Sequence, residues 1–442
     1  MTHAPTDAPS PLRHAVFALI AFCMALAAAE AFVWAIWAWR GGPARLRAYK
    51  EDLASARSYR FFDPPGVALP VPGSMIVQHK RDFTDRLLAK DALGLGVGLF
   101  DDGAAPRPVK AWALGDSFTR GVGSEDPLAN GWVELVEKRL PWLDLVNLGL
   151  SGTGTLQQAF FYERLAPLSQ HDWVVLCFYT GNDFVDNAEP FDWNRALKSL
   201  PPGEDPSAVF TGIQEALAYE RGPDFLLRSP VKSRMVWAGM GLAQALWGEQ
   251  ALPRRVREGL AKYAGMKAEA RNPQVPEEVR SVGAANMVGA RMVPRGGSRR
   301  ADVWLYPYMS DDSQARTLSR HSALLIHDLN AAVRRRGARL AVVVFPTMWE
   351  VCLSNEEWAS LKADPHAARA MLEKELDRDL PLLDLTEGLR ADSDSCARPF
   401  YWASDDHPNP AGYAAAADRI AAFLEARIPR PASRAVPPAR GH

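Results

Sequence analysis

The sequence predicts an α/β fold, a parallel sheet with helices on both faces, behind one N-terminal transmembrane helix. Three observations carry this reading. Residues 15–39 are an apolar run whose single charge is Glu30. From Val109 onward, short apolar runs alternate with stretches of helical periodicity, which implies parallel pairing through right-handed crossovers. The first three runs end in Gly-containing turns, as expected where a strand gives way to a loop at the sheet edge.

About 20 apolar residues suffice to span a bilayer as a helix, and Trp34, Trp37 and Trp39 gather at the far end of 15–39, where indole rings favour the headgroup boundary. The competing reading is a cleaved signal peptide, because Ala27, Ala28 and Ala29 resemble a small-residue cleavage site. The run continues through Trp39, beyond the short core of a signal peptide, which favours an anchor with residues 1–14 as a cytoplasmic tail. Arg40, Arg45, Arg47 and Lys50 follow the helix, and the positive-inside tendency would keep them cytoplasmic. Long domains translocate largely regardless of charge, so orientation stays open on this ground. Glu30 either faces a partner helix or snorkels.

Residues 40–107 read as a membrane-proximal lead-in in which Pro64, Pro65, Pro70 and Pro72 break any long helix. The alternating Gly94, Gly96 and Gly98 lack the preceding strand and following helix of a nucleotide loop. Strands are expected at Val109–Leu114, 143–148, Trp173–Tyr179, Arg339–Phe345 and 382–385, with helices at 132–140, 156–168 and 318–336. The last of these ends in Arg334, Arg335, Arg336 and Gly337, cations at the negative end of the dipole and a glycine for the turn. A single α/β domain over 108–428 would then contain an insertion over about 188–312, partly helical, carrying Trp193, Trp237 and Trp247 with Arg254, Arg255, Arg257, Arg291, Arg295, Arg299 and Arg300. Those arginines are either a solvated surface or a preference for anionic substrate. Residues 429–442, rich in Pro, Arg and Ala, read as a disordered tail.

Composition narrows the function. With 51 Lys+Arg against 52 Asp+Glu the net charge is −1, without the basic footprint of a protein that tracks nucleic-acid phosphates. The 442 residues, 48% of them hydrophobic, allow a sizeable core. Cys23, Cys177, Cys352 and Cys396 are too few and scattered for a disulfide scaffold or a zinc ribbon.

The chemistry concentrates at strand ends, where ligands of such sheets bind. Gly115-Asp116-Ser117 ends the first strand, and a serine hydroxyl there becomes a nucleophile only when a base takes its proton. Gly149 to Gly152 follow the second strand and can turn backbone N–H groups into the same crevice; Gly181-Asn182-Asp183 follow the third and offer a side-chain amide. Near the C-terminus stands Ser404-Asp405-Asp406-His407-Pro408, before a final helix opened by Pro410. In an extended loop, residues two apart face the same side, so Asp405 can orient His407 while Asp406 points away.

These four blocks in order, Gly115-Asp116-Ser117, Gly152, Gly181-Asn182-Asp183 and Asp405-x-His407, resemble the SGNH (GDSL) hydrolase superfamily. The resemblance implies a flavodoxin-like α/β/α sandwich with a five-stranded parallel sheet. It implies Ser117 as nucleophile, His407 as general base and then acid, Asp405 as its orienter, and an oxyanion hole of the Ser117 N–H, the Gly152 N–H and the Asn182 side chain. Many members place the Asp three residues before the His, where this chain has Ser404. The spacing here resembles the branch found with polysaccharide O-acetylation machinery and leaves Asp406 as a second candidate. The implied chemistry is acyl transfer through a serine ester, with no cofactor and no metal. Behind a membrane helix, it implies a bacterial inner-membrane O-acetylesterase or O-acetyltransferase, its domain in the periplasm, acting on an envelope glycan in company with polysaccharide machinery. A Cys352–Cys396 disulfide would fit that oxidising compartment. The alternatives are a lipase or thioesterase, a non-catalytic glycan-binding or assembly subunit, and a metal phosphoesterase using Asp116, Asp183, Asp405 and His407.

Overall fold

The computed structural model describes residues 11–39, 41–62, 67–89, 107–190, 203–221, 274–283, 289–295, 299–394, 396, 399–403 and 405–430, with isolated positions between 254 and 266. Gly94, Gly96, Gly98, Trp193, Trp237, Trp247, Arg255, Arg257, Ser404 and all but the start of the C-terminal tail lie outside them. The chain divides into two compact units, one of residues 1–57 with 211–263 and one of 58–210 with 264–442.

In the first unit the apolar run lies in a 29-residue helix, Pro11–Trp39. It begins four residues earlier than the apolar run, within the segment expected as a tail, because proline is tolerated in a first helical turn. Its stretch Ala15–Trp39 is long and apolar enough to cross a membrane. A second helix, Gly42–Ala56, follows immediately. Beyond it Pro70 stands in a strand and Pro72 in a turn, while Pro64 and Pro65 lie outside the described residues.

The second unit opens with two antiparallel hairpins, β1 (Tyr59–Phe62) with β2 (Val67–Pro70) and β3 (Met75–His79) with β4 (Thr84–Leu88). Then come β5 (Val109–Leu114), β6 (Leu143–Asn147), β7 (Trp173–Tyr179), an antiparallel pair β8 (Gly289–Arg295) and β9 (Arg299–Leu305), β10 (Arg339–Phe345) and β11 (Leu382–Asp384). Five of them, all parallel, form one sheet in the order β11-β10-β7-β5-β6. Numbered along the chain this is 2-1-3-4-5, the flavodoxin-like order, and its direction of growth reverses between β5 and β7.

Strand alternation builds two cores, one per face. Trp112, Leu114, Val146, Val174, Leu176, Phe178, Val342 and Val344 point one way, against helices Thr155–Leu165 and Asp312–Arg335. Ala111, Ala113, Leu145, Val175, Cys177, Val343 and Phe345 point the other way, against Trp132–Arg139 and Pro410–Arg427. The helix expected at 318–336 starts earlier, because Asp311 accepts N–H bonds from Ser313 and Gln314 and caps it there. Within the insertion, helices Pro206–Arg221 and Glu277–Gly283 match the helical expectation, and the β8–β9 pair departs from it. Its strand character was hidden by the arginines at 291, 295, 299 and 300, which interrupt the apolar alternation. Arg254 pairs with Glu258 one helical turn on, in solvent.

Cys352 and Cys396 form a disulfide with Cα atoms 5.1 Å apart, 44 residues apart in sequence. It ties the loop leading to Asp405 to helix Met348–Cys352, just beyond β10. Closing a loop of this length removes roughly 4 kcal/mol of unfolded-chain entropy. The double variant Cys352→Ser/Cys396→Ser is therefore expected to lose about 3–4 kcal/mol of stability, read by denaturant unfolding of the intact chain, and reducing agent should lower the wild-type Tm to that of the variant.

Candidate active site

Ser117 opens the short helix Ser117–Arg120 directly after β5, at the carboxyl edge of the sheet. The turn is held by Asp116, whose Oδ1 accepts the Phe118 N–H at 2.9 Å, and it is packed against the turn after β6. Gly149 in that second turn lies so close to the Arg120 backbone that a Cβ would collide with it, and Leu150 N–H bonds to Gly115 O at 2.9 Å. Beneath both turns Asn147 donates to Thr119 O at 2.9 Å and to Glu134 Oε1 at 3.1 Å, while its Oδ1 accepts from Gly149 N–H. One buried amide thus fixes the serine helix to the glycine turn.

His407 arrives from the other end of the chain. The loop 400–409 folds back on itself, with Trp402 N–H on His407 O at 3.1 Å and Asn409 N–H on Phe400 O at 2.9 Å. Asn409 Oδ1 then caps the final helix through Gly412 N–H. Gly123, in the left-handed region at φ 92°, lies against this loop: a Cβ there would stand 2.5 Å from Pro408 O and 3.0 Å from His407 Cβ. The imidazole also packs beside Phe118, ring centroids 5.1 Å apart, and Phe118 stacks on Tyr179 at 3.7 Å.

The result is a hydrogen-bonded series. Ser117 Oγ lies 2.8 Å from His407 Nε2, and His407 Nδ1 is bonded to Asp405 Oδ1. Asp405 Oδ1 also accepts the His407 backbone N–H at 3.1 Å, and Lys80 Nζ pairs with its Oδ2 at 3.1 Å. With Nδ1 carrying its proton toward Asp405, Nε2 is free to accept the Ser117 hydroxyl proton. Burial alone would raise the Asp405 carboxyl, but the bonds and charge of His407, with Lys80, hold it well below the usual carboxylate range. Asp406 behaves oppositely: burial and the neighbouring Asp405 charge push it up to about 6.

Gly152 stands on the β6 turn at φ 73° with open space around it, and Asn182 begins the helix Asp183–Ala188 after β7. Asn182 Oδ1 is buried without a hydrogen-bond partner, and its side chain is among the bonds that lower the Asp116 carboxyl against the larger opposing effect of burial. Asp183 accepts the Tyr179 N–H at 2.8 Å, and burial with the Asp116 charge pushes its carboxyl well above the usual range. Asp116, Asp183 and Asp405 are therefore each engaged with different partners. Among the described residues no three His, Cys, Asp or Glu side chains are grouped as metal ligands would be. Sequence reasoning missed Lys80, Phe83 and Asp85, which reach this site from the β3–β4 hairpin. The two five-residue runs flanking Lys80-Arg81-Asp82-Phe83 were a hairpin signal.

A parallel 2-1-3-4-5 sheet with a serine, an imidazole and a carboxylate in hydrogen-bonded series at its topological switch point is suited to acyl transfer. Residues 113–415 match the GDSL-like Lipase/Acylhydrolase family, and the chain belongs to it. Two solved structures of a two-domain esterase (CEX) active on acetylated mannans, one co-crystallised with mannopentaose, are each 12% identical to the chain at a TM-score of 0.32. They cover 72% and 73% of this chain, which spans about half of their length, 48% and 52%. No curated protein matches the sequence.

The buried network beneath the serine has a pH signature. Burial pushes the Glu134 carboxyl up to about 7 from an ordinary 4.5. The folded protein keeps this proton where the unfolded chain has lost it, so the contribution of Glu134 to stability is full below pH 4.5 and is lost as pH rises through about 7. Glu134→Gln retains the acceptor for Asn147 without the charge. The Tm of the wild type should fall between pH 5 and pH 8 relative to that of Glu134→Gln, by the equivalent of at most about 3 kcal/mol.

Proposed function

We propose that the chain is a membrane-anchored serine esterase that removes short acyl groups, acetyl foremost, from an extracytoplasmic glycan. The observation that carries the catalytic part is the His407 imidazole bonded to Ser117 Oγ on one side and Asp405 on the other. Ser117 Oγ attacks the ester carbonyl as His407 Nε2 takes its proton, and Asp405 stabilises the imidazolium. The tetrahedral oxyanion is met by the Ser117 and Gly152 N–H groups and the Asn182 amide. Losing one such donor typically costs about 3–4 kcal/mol of barrier. His407 returns the proton to the departing sugar oxygen, and water then releases the acyl group from Ser117 by the same steps in reverse.

The location rests on two further features. Ala15–Trp39 has the length and apolarity of a membrane anchor. The Cys352–Cys396 disulfide belongs to an oxidising compartment, and the two together favour a periplasmic domain on the inner membrane. The substrates such an enzyme meets are acyl esters of envelope polysaccharide.

Hydrolysis of p-nitrophenyl acetate and of longer acyl esters by the detergent-solubilised chain tests this reading. Acetate is expected to be preferred, and Ser117→Ala and His407→Ala should each lose at least roughly 10³-fold in kcat. A preference for long chains would overturn the short-acyl assignment. Asp405→Asn should fall by about 10⁴-fold and Asp406→Asn by less than about tenfold; the reverse order would make Asp406 the orienting carboxylate.

A further inference from the structure

The β3–β4 hairpin precedes the stretch that matches the family, yet it reaches both the loop carrying His407 and the loop following Ser117. At its turn Lys80 Nζ lies 3.1 Å from Asp405 Oδ2, the carboxylate oxygen that His407 does not use. Phe83 stacks on Trp402 with centroids 5.3 Å apart, and the Trp402 indole N–H bonds to Gly123 O at 2.8 Å. Asp85 accepts the N–H groups of Gly123 and Glu125, both at 2.8 Å. The hairpin therefore grips the loop carrying His407 and the loop following Ser117 at once.

The Lys80 side chain is 35% exposed, and an ion pair so placed adds little to stability. Its effect is local: the ammonium fixes the rotation of the Asp405 carboxylate. We propose that the hairpin is part of the catalytic site and that Lys80 is a positioning residue, acting through Asp405 to hold the imidazole toward Ser117. This rests on the triad reading above.

The charges around His407 make the idea testable. Asp85 faces it from β4, Asp116 from the turn after β5, and Asp405 and Asp406 from its own loop, while Arg120 faces Asp85. Each of these carboxylates, when ionised, favours the imidazolium, and the Lys80 cation opposes them. Removing the Lys80 cation would leave these carboxylates less opposed beside the imidazole.

In the full chain, Lys80→Met should move the acid limb of the kcat/KM profile up by about 0.5–1 pH unit. It should also lower kcat roughly tenfold above that limb with KM unchanged, as expected of a misaligned base. Lys80→Arg, which keeps the cation, should restore both. The imidazole can be read without turnover, by NMR titration of His407 in Ser117→Ala with and without Lys80→Met, where the same upward shift is expected. Lys80→Gln serves the same comparison if the methionine variant is poorly folded. An unchanged profile and an unchanged His407 titration, with Ser117→Ala inactive, would overturn the role of Lys80 and leave the triad standing. Full activity in Ser117→Ala would instead overturn the triad, whatever the titration showed.

Discussion

An imidazole can relay a proton only if one nitrogen is committed to an acceptor and the other is left facing the donor, and His407 meets both conditions across 290 residues of sequence. Everything around it serves that closure. The serine turn must stand still at the end of β5, so Asp116 caps it and Asn147 ties it to the neighbouring turn. The histidine loop must return to the same edge, so it is pinned by its own backbone bonds, by the helix it opens and by the disulfide behind it. The sheet supplies a rigid edge, and the loops meet there.

Burial divides the local carboxylates by role. Asp405 stays ionised because His407 and Lys80 outweigh the cost of taking it out of water. Asp183, Asp406 and Glu134 have no comparable cation and are pushed toward the neutral form. This is the physical ground for preferring Asp405 over Asp406 as the partner of His407: two adjacent acids in one loop differ because one meets a proton donor and an ammonium and the other is taken out of water beside its neighbour's charge.

The segment between the apolar helix and the sheet is more than a connection. Its second hairpin covers the loops of the site with Phe83, Lys80 and Asp85, each meeting a different partner.

The sequence by itself determined the sheet, the four site blocks and the apolar helix. The strand runs are nearly all apolar because both faces of a parallel sheet are buried, and that pattern survives without any tertiary information, as at Trp173–Tyr179. Ser117, Asn182 and His407 were legible because each sits in a short, chemically distinctive motif. Tertiary structure alone decided the rest. That Lys80 meets Asp405, that Gly123 packs under His407 and that Cys352 pairs with Cys396 depends on which distant segments the folded sheet edge brings together. The β8–β9 hairpin and the helix Gly42–Ala56 were hidden for a simpler reason: arginines interrupt the apolar alternation of the first, and the second has no long apolar face to announce it. Local pattern encodes what a residue is buried against, whereas an ion pair between a hairpin tip and a loop more than 300 residues later is encoded only in the closed fold.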